Sequence, residues 1–280
     1  MSISILEVND LKINYYTPNR VIKAVDGISF DIQSGERFGL VGESGSGKST
    51  VAMAILGLIK QPGRVESGEI WFTNGNGGEE PLANTRVNIR SLSLEQIRRL
   101  RLAGVALVPQ GAMNSLNPVK KIRAQMLDGM VDHGILLSGH EKDERIKELL
   151  ESVGLRQEVA NMYPHELSGG MKQRVAIAIA ISLRPKLIIA DEPTSALDVI
   201  VQRQVMETLF ELQDRLQASV LMVGHDMGLM AQSVHRLGVM YAGKLVEVGE
   251  VTDIFGHPQD SYTQRLIASL PSLTRKSSLV

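Results

Sequence analysis

The sequence predicts an α/β domain built on a mostly parallel sheet with helices on both faces. Three observations predict it. Short apolar or β-branched runs alternate with stretches of helical periodicity along most of the chain, and strands separated by helices pair in parallel. One such run, Arg37–Val41, stops at a glycine-rich loop that opens a helix. From about residue 111 to residue 164 strand signals vanish and helical ones take over, so a helical segment is inserted into the alternation.

Each element has its own local signal. Residues 3–8 and 28–32 read as strands by alternation and β-branched content. Residues 37–41 are a short buried strand, residues 50–58 a helix and residues 70–72 another strand. Residues 74–84, polar and rich in glycine, read as an exposed loop. Ser93 followed by Gln96 fits a capping box that opens a short helix towards Arg101. Residues 105–108 form a strand ending at Pro109-Gln110. In the insert, Ile146, Leu149, Leu150 and Val153 share one helix face. Residues 168–183 are helical, and residues 187–190 form a buried strand that runs into Asp191-Glu192. Val205, Leu209, Leu212 and Leu216 mark a long amphipathic helix. Residues 219–223 are a strand, a short helix follows Asp226, and residues 239–248 read as a hairpin around Ala242-Gly243.

Composition narrows the class. The 280 residues suit one large α/β domain or two small ones. Thirty basic and 31 acidic side chains leave a net charge of -1, without the basic excess of a nucleic-acid-coating protein. The absence of cysteine excludes disulfides, thiolate zinc sites, iron–sulfur clusters and cysteine nucleophiles, and suits a reducing compartment. Glu7 and Asp10, with no basic segment before them, argue against a secretory signal. The longest apolar runs, 51–59 and 175–181, fall short of the ~18 residues of a membrane span. Any membrane role is expected to run through a partner.

Three motifs carry chemistry. Residues 42–49 read GESGSGKS, the G-x-x-x-x-G-K-[ST] pattern of a P-loop, between a strand and a helix as that motif requires. Gly42, Ser44, Gly45, Ser46, Gly47, Lys48, Ser49 and Thr50 are the candidate phosphate-binding set. Lys48 can reach the outer phosphates and the Ser49 hydroxyl can ligate Mg²⁺. Asp191 and Glu192 follow a buried strand, at the end where such sheets bind ligands. Asp191 can hold Mg²⁺, and Glu192 can take a proton from an attacking water. Residues 167–171, LSGGM, put two glycines after a serine at a helix start, a second anion-binding terminus.

This third motif resembles the signature of ABC ATPases, and the remaining motifs agree in order. Gln110 stands at the family's Q-loop, and Ser195 to Asp198 resemble its D-loop. His225 resembles the switch histidine, and Tyr15 the adenine-stacking aromatic, with Tyr16 as its rival. The resemblance implies a P-loop NTPase of ABC type, with an antiparallel β part and a helical subdomain over about 111–183. It implies head-to-tail pairs in which the P-loop of one subunit and Ser168, Gly169 and Gly170 of the other enclose each ATP, with Asp198 beside them. It implies Glu192, His225 and Gln110 as catalytic, and Ser49, Gln110 and Asp191 around Mg²⁺.

Two stretches resemble the dipeptide, oligopeptide and nickel importer ATPases in particular. One is the SLNP of residues 115–118 after Gln110. The other is His257-Pro258 with Tyr262-Thr263, an "HP…YT" element. Tyr163-Pro164-His165-Glu166 before LSGGM agrees. The cysteine-bearing C-terminal region that many of those relatives carry is not transferred. The resemblance implies an ATPase domain over 1–255 with a tail over 256–280. Its expected partners are a second ATPase subunit, as a heterodimer rather than a homodimer, two integral membrane permeases and, indirectly, an extracytoplasmic solute-binding protein. It implies a peripheral position on the cytoplasmic face of the cell membrane, with peptides, oligosaccharides or a nickel complex as solute. Met113 and Leu116 are expected to line a permease seat. The alternative is a soluble ABC ATPase of DNA repair or translation, though neither a long coiled coil nor a second cassette is visible. An ordinary P-loop kinase would leave LSGGM and His225 without purpose.

Overall fold

The computed structural model describes residues 3–73, 85–111, 115–195 and 197–270. The expected loop at 74–84, Met113 and Ala196 therefore lie outside the described residues. In chain order the strands are β1 (Ser4–Tyr16), β2 (Val21–Gln33), β3 (Arg37–Val41), β4 (Gly63–Thr73), β5 (Arg86–Asn88), β6 (Val105–Val108), β7 (Leu187–Asp191), β8 (Ser219–Gly224), β9 (Arg236–Tyr241) and β10 (Lys244–Glu250). They form a six-stranded sheet, β10-β9-β3-β8-β7-β6, and a four-stranded sheet, β2-β1-β4-β5. In the first, β9, β3, β8, β7 and β6 pair in parallel and only β10 is antiparallel. The second is antiparallel throughout.

The parallel strands are short and apolar because both their faces are covered. In β7, Leu187 and Ile189 pack into a cluster shared with β1, β2 and β4, while Ile188 and Ala190 pack into a second cluster shared with the helices. Successive side chains of a strand point to opposite faces, so one strand serves two cores. The helices are α1 (Lys48–Ile55), α2 (Leu94–Leu100), α3 (Ile122–Asp132), α4 (Gly139–Ser152), α5 (Gly169–Ala180), α6 (Val199–Leu216), α7 (Met227–Ser233), α8 (Val251–Gly256) and α9 (Ser261–Ala268). The capping box at Ser93 and Gln96 is formed, and Ser138 with Glu141 makes another at the start of α4. Ile146, Leu149, Leu150 and Val153 are all buried in the helical core.

Several elements differ from their sequence reading. β1 continues past residue 8, because Asp10 takes a left-handed φ of 44° and the strand bulges between Val8 and Leu11. β2 and β4 extend well beyond 28–32 and 70–72. β5, α8 and α9 have no counterpart in the sequence reading. Leu116 is buried in the helical core and is not an exposed docking residue.

The register positions the site. Val41 lies opposite Gly224, Asp191 opposite Val223 and Val108 opposite Ala190. The carboxyl ends of β3, β6, β7 and β8 thus reach one edge of the sheet. The next residues in sequence are Gly42, Pro109-Gln110, Glu192 and His225.

Candidate functional site

The glycine-rich loop begins where β3 ends. Gly42 has φ 152°, and a Cβ there would lie 2.1 Å from the Met240 carbonyl oxygen. Gly47 has φ 108°, and a Cβ there would lie 2.3 Å from the Ala24 carbonyl oxygen. Neither position accepts another residue, because backbone from β9 and β2 closes on the loop. Gly47 caps α1 without any side chain, and the first turn holds no acidic residue. The amides at that helix start keep their capacity for an anion.

Lys48 is buried. Its ammonium donates to the carbonyls of Gly42 at 2.9 Å and Glu43 at 2.8 Å, and to Ser46 Oγ at 3.3 Å. Burial lowers its pKa, opposed by the charges of Glu192 and Asp191. The Ser49 hydroxyl donates to Asp191 Oδ1 at 3.1 Å. Asp191 is buried, and burial raises its pKa; Ser49 and Lys48 oppose that shift and Glu192 adds to it.

Glu192 stands one residue beyond β7 with a left-handed φ of 44°, a costly backbone for a side chain of its kind. Its N–H is fixed on the Val223 carbonyl at 2.8 Å. One carboxylate oxygen accepts the Gln110 side-chain amide at 2.8 Å, and the other lies 3.0 Å from His225 Nδ1. The structure thus brings Lys48, Ser49, Gln110, Asp191, Glu192 and His225 to one sheet edge. It holds Ser44, Gly45, Ser46 and Thr50 in the same loop and first helical turn.

The other expected residues stand apart. Ser168 caps α5, its hydroxyl accepting from the Met171 N–H, and Gly169 and Gly170 open the helix. A Cβ on Gly170 would lie 2.6 Å from Val201, so that glycine lets α5 and α6 meet closely. Asp198 caps α6, its Oδ1 accepting from the Ile200 and Val201 N–H groups. Among the described residues no hydrogen bond or ion pair joins Ser168, Gly169, Gly170 or Asp198 to the residue 42–50 loop. Tyr15 is half-buried, and a Cβ on Gly63 would lie 2.8 Å from its ring. Tyr16 is exposed and donates its hydroxyl to Glu66 at 2.9 Å. Sequence reasoning missed Tyr262 of α9, whose hydroxyl accepts the Glu43 N–H of the loop at 3.2 Å. Its only signal was the unexplained "HP…YT" element.

A family model described as ABC transporter matches residues 25–195. The chain belongs to the ABC transporter family. The dipeptide transport ATP-binding protein DppD of Haemophilus influenzae is 42% identical to this ABC chain, over 98% of it and 80% of the relative. The oligopeptide transport ATP-binding protein OppD of Bacillus subtilis is 40% identical, over 96% and 72%. Among solved structures, the dimeric ATP-binding cassette MJ0796 bound to ADP and Pi superimposes on the ABC chain with a TM-score of 0.75. It has 27% identity and covers 88% of this chain and 98% of that one.

Proposed function

We propose that this ABC ATPase binds ATP with Mg²⁺ at the edge of its parallel sheet and hydrolyses it to drive a membrane importer of peptides. The observation that carries this reading is the position of Glu192, fixed by Gln110 and His225 beside Lys48, Ser49 and Asp191. The dipeptide and oligopeptide transport relatives supply the solute class.

The residues fit the ligands. The cradle at Gly42 and Gly47 leaves no room for a Cβ, and the helix start after it carries no side-chain cap. Ser49 and the buried Asp191 offer the hard oxygens that Mg²⁺ takes. Among the described residues no group of three or more His, Asp or Glu side chains forms a metal cage. Mg²⁺ is usually held by one or two carboxylates together with substrate phosphates, and here Asp191 and Ser49 would share it with the nucleotide's phosphates. Bound Mg²⁺ would neutralise developing phosphate charge. Lys48 would exchange its loop carbonyls for phosphate oxygens. Gln110, its amide committed to Glu192, keeps a side-chain carbonyl for the ion. Glu192 would accept the proton of the attacking water, and His225 would orient Glu192 and meet the terminal phosphate. Tyr15 would stack on adenine.

Ser168, Gly169, Gly170 and Asp198 stand apart from the loop, so we assign them to the ATP site of a second subunit in a head-to-tail heterodimer. Among the described residues no helix is long and apolar enough to cross a membrane. By likeness to the peptide transport relatives, two integral membrane permease subunits would carry the solute, with this chain peripheral on their cytoplasmic face. Isolating the complex from membranes and identifying its permeases and solute-binding protein tests the assignment. ATP-dependent peptide uptake by that complex supports it, and a soluble complex on DNA or ribosomes contradicts it.

A further inference from the structure

The tail beyond β10 is built to hold one tyrosine against the phosphate loop. The Glu247 carboxylate of β10 accepts the Gln259 N–H at 2.8 Å and the Asp260 N–H at 3.1 Å. Asp260 then caps α9, accepting from the Tyr262 and Thr263 N–H groups. Tyr262 is thereby fixed in backbone. Its ring is buried against Tyr241, with centroids 4.3 Å apart. Its hydroxyl accepts the Glu43 N–H across 219 residues of sequence. Burial raises the phenol's pKa; the hydrogen bond from the Glu43 N–H opposes that shift and the Glu43 charge adds to it, so the group stays a neutral hydroxyl.

Glu43 is held at both of its backbone groups. Tyr262 takes its N–H, while its carbonyl accepts from Lys48 and, at 3.2 Å, from the Ser46 N–H. Of these three hydrogen bonds two come from side chains, Tyr262 and Lys48, and those two differ in one respect. Lys48 must leave the Glu43 carbonyl if it is to reach a phosphate, whereas Tyr262 has no reason to move. In the nucleotide-bound loop the Tyr262 bond therefore carries more of the restraint than in the free loop. A contact that weighs more in the bound state raises affinity.

We propose that Tyr262 is a positioning residue for ATP binding, acting through the Glu43 backbone to hold the phosphate loop in its binding shape. This rests on residues 42–50 being the phosphate cradle of the reading above. It extends that reading to the tail, which becomes a working part of the nucleotide site.

The test compares, within the assembled complex, the full-length wild-type chain with Tyr262→Phe and Thr263→Val. Phenylalanine keeps the ring and removes only the hydroxyl. Thr263 is fully buried one residue on, and its hydroxyl has no hydrogen-bond partner, so Thr263→Val alters the same helix without touching the loop. Loss of one hydrogen bond predicts an ATP KM about three- to tenfold higher in Tyr262→Phe. The kcat should hold, because Glu192, Gln110 and His225 are untouched. Thr263→Val should leave the KM unchanged. Amide exchange supplies an independent readout, since the Glu43 N–H should exchange faster in Tyr262→Phe. Unchanged KM and exchange in Tyr262→Phe, or an equal KM rise in Thr263→Val, would overturn the proposal. A wild type that binds no ATP would overturn the cradle reading and this inference with it; wild-type binding with an unaffected Tyr262→Phe overturns this inference alone.

Discussion

The Glu192 carboxylate lies 3.0 Å from His225 Nδ1, and the two residues extend from neighbouring parallel strands. When the carboxylate is ionised it only accepts, and the contact then needs the imidazole proton on Nδ1. The other ring nitrogen then stays available for a ligand. The same carboxylate accepts Gln110 on its second oxygen, which ties the strand leading to the helical insert into this centre. Glu192 itself sits on a left-handed backbone. Strain of this kind persists only where neighbouring structure imposes it, here the bond to Val223.

The phosphate loop should tolerate no side chain at Gly47. Its φ of 108° and the 2.3 Å approach to the Ala24 carbonyl make Gly47→Ala displace the loop or β2. ATP affinity should fall by about tenfold or more, an effect of at least ~1.4 kcal/mol. Isothermal titration with ATP reads this directly.

The helical insert owes its shape to one buried stripe. Leu150 is fully buried between α4 and its neighbours. Leu150→Ala should cost about 2–5 kcal/mol of stability through lost burial and the cavity left behind. Denaturant melts give the value. A cost well under 1 kcal/mol would place Leu150 outside the core.

Two substitutions separate the halves of the ATP site. Lys48→Ala should weaken ATP binding by the isolated chain. Ser168→Arg puts a bulky cation at the start of α5, away from this chain's own loop. Binding by the isolated chain should stay within about twofold, while hydrolysis by the assembled complex falls by about a hundredfold. If Ser168→Arg harms the isolated chain as Lys48→Ala does, the head-to-tail arrangement is wrong.

Much of this was legible in the residues. Strands β3, β6, β7 and β8 are continuous apolar runs that end at chemically distinctive residues, so strand and site were read together. The capping box at Ser93 is a local signal and the structure keeps it. Asn9-Asp10 has the chemistry of a turn, but the fold uses it as a bulge inside β1. Arg64, Glu66, Ser67 and Gly68 interrupt the apolar pattern of β4, with Gly68 at φ 94°, so only residues 70–72 carry a local strand signal. Leu116 looked exposed in a loop-like stretch, yet it packs on the helical core. The Tyr262–Glu43 bond joins residues 219 positions apart and left no local trace.

The central claim is that Glu192 is the base of an ATP-hydrolysing centre. Glu192→Gln keeps the side chain's size and removes its charge. Phosphate release by the assembled complex, measured with Mg-ATP, tests the claim most directly. The account predicts retained ATP binding with hydrolysis slowed by about a hundredfold or more. Hydrolysis by Glu192→Gln at the wild-type rate would contradict it.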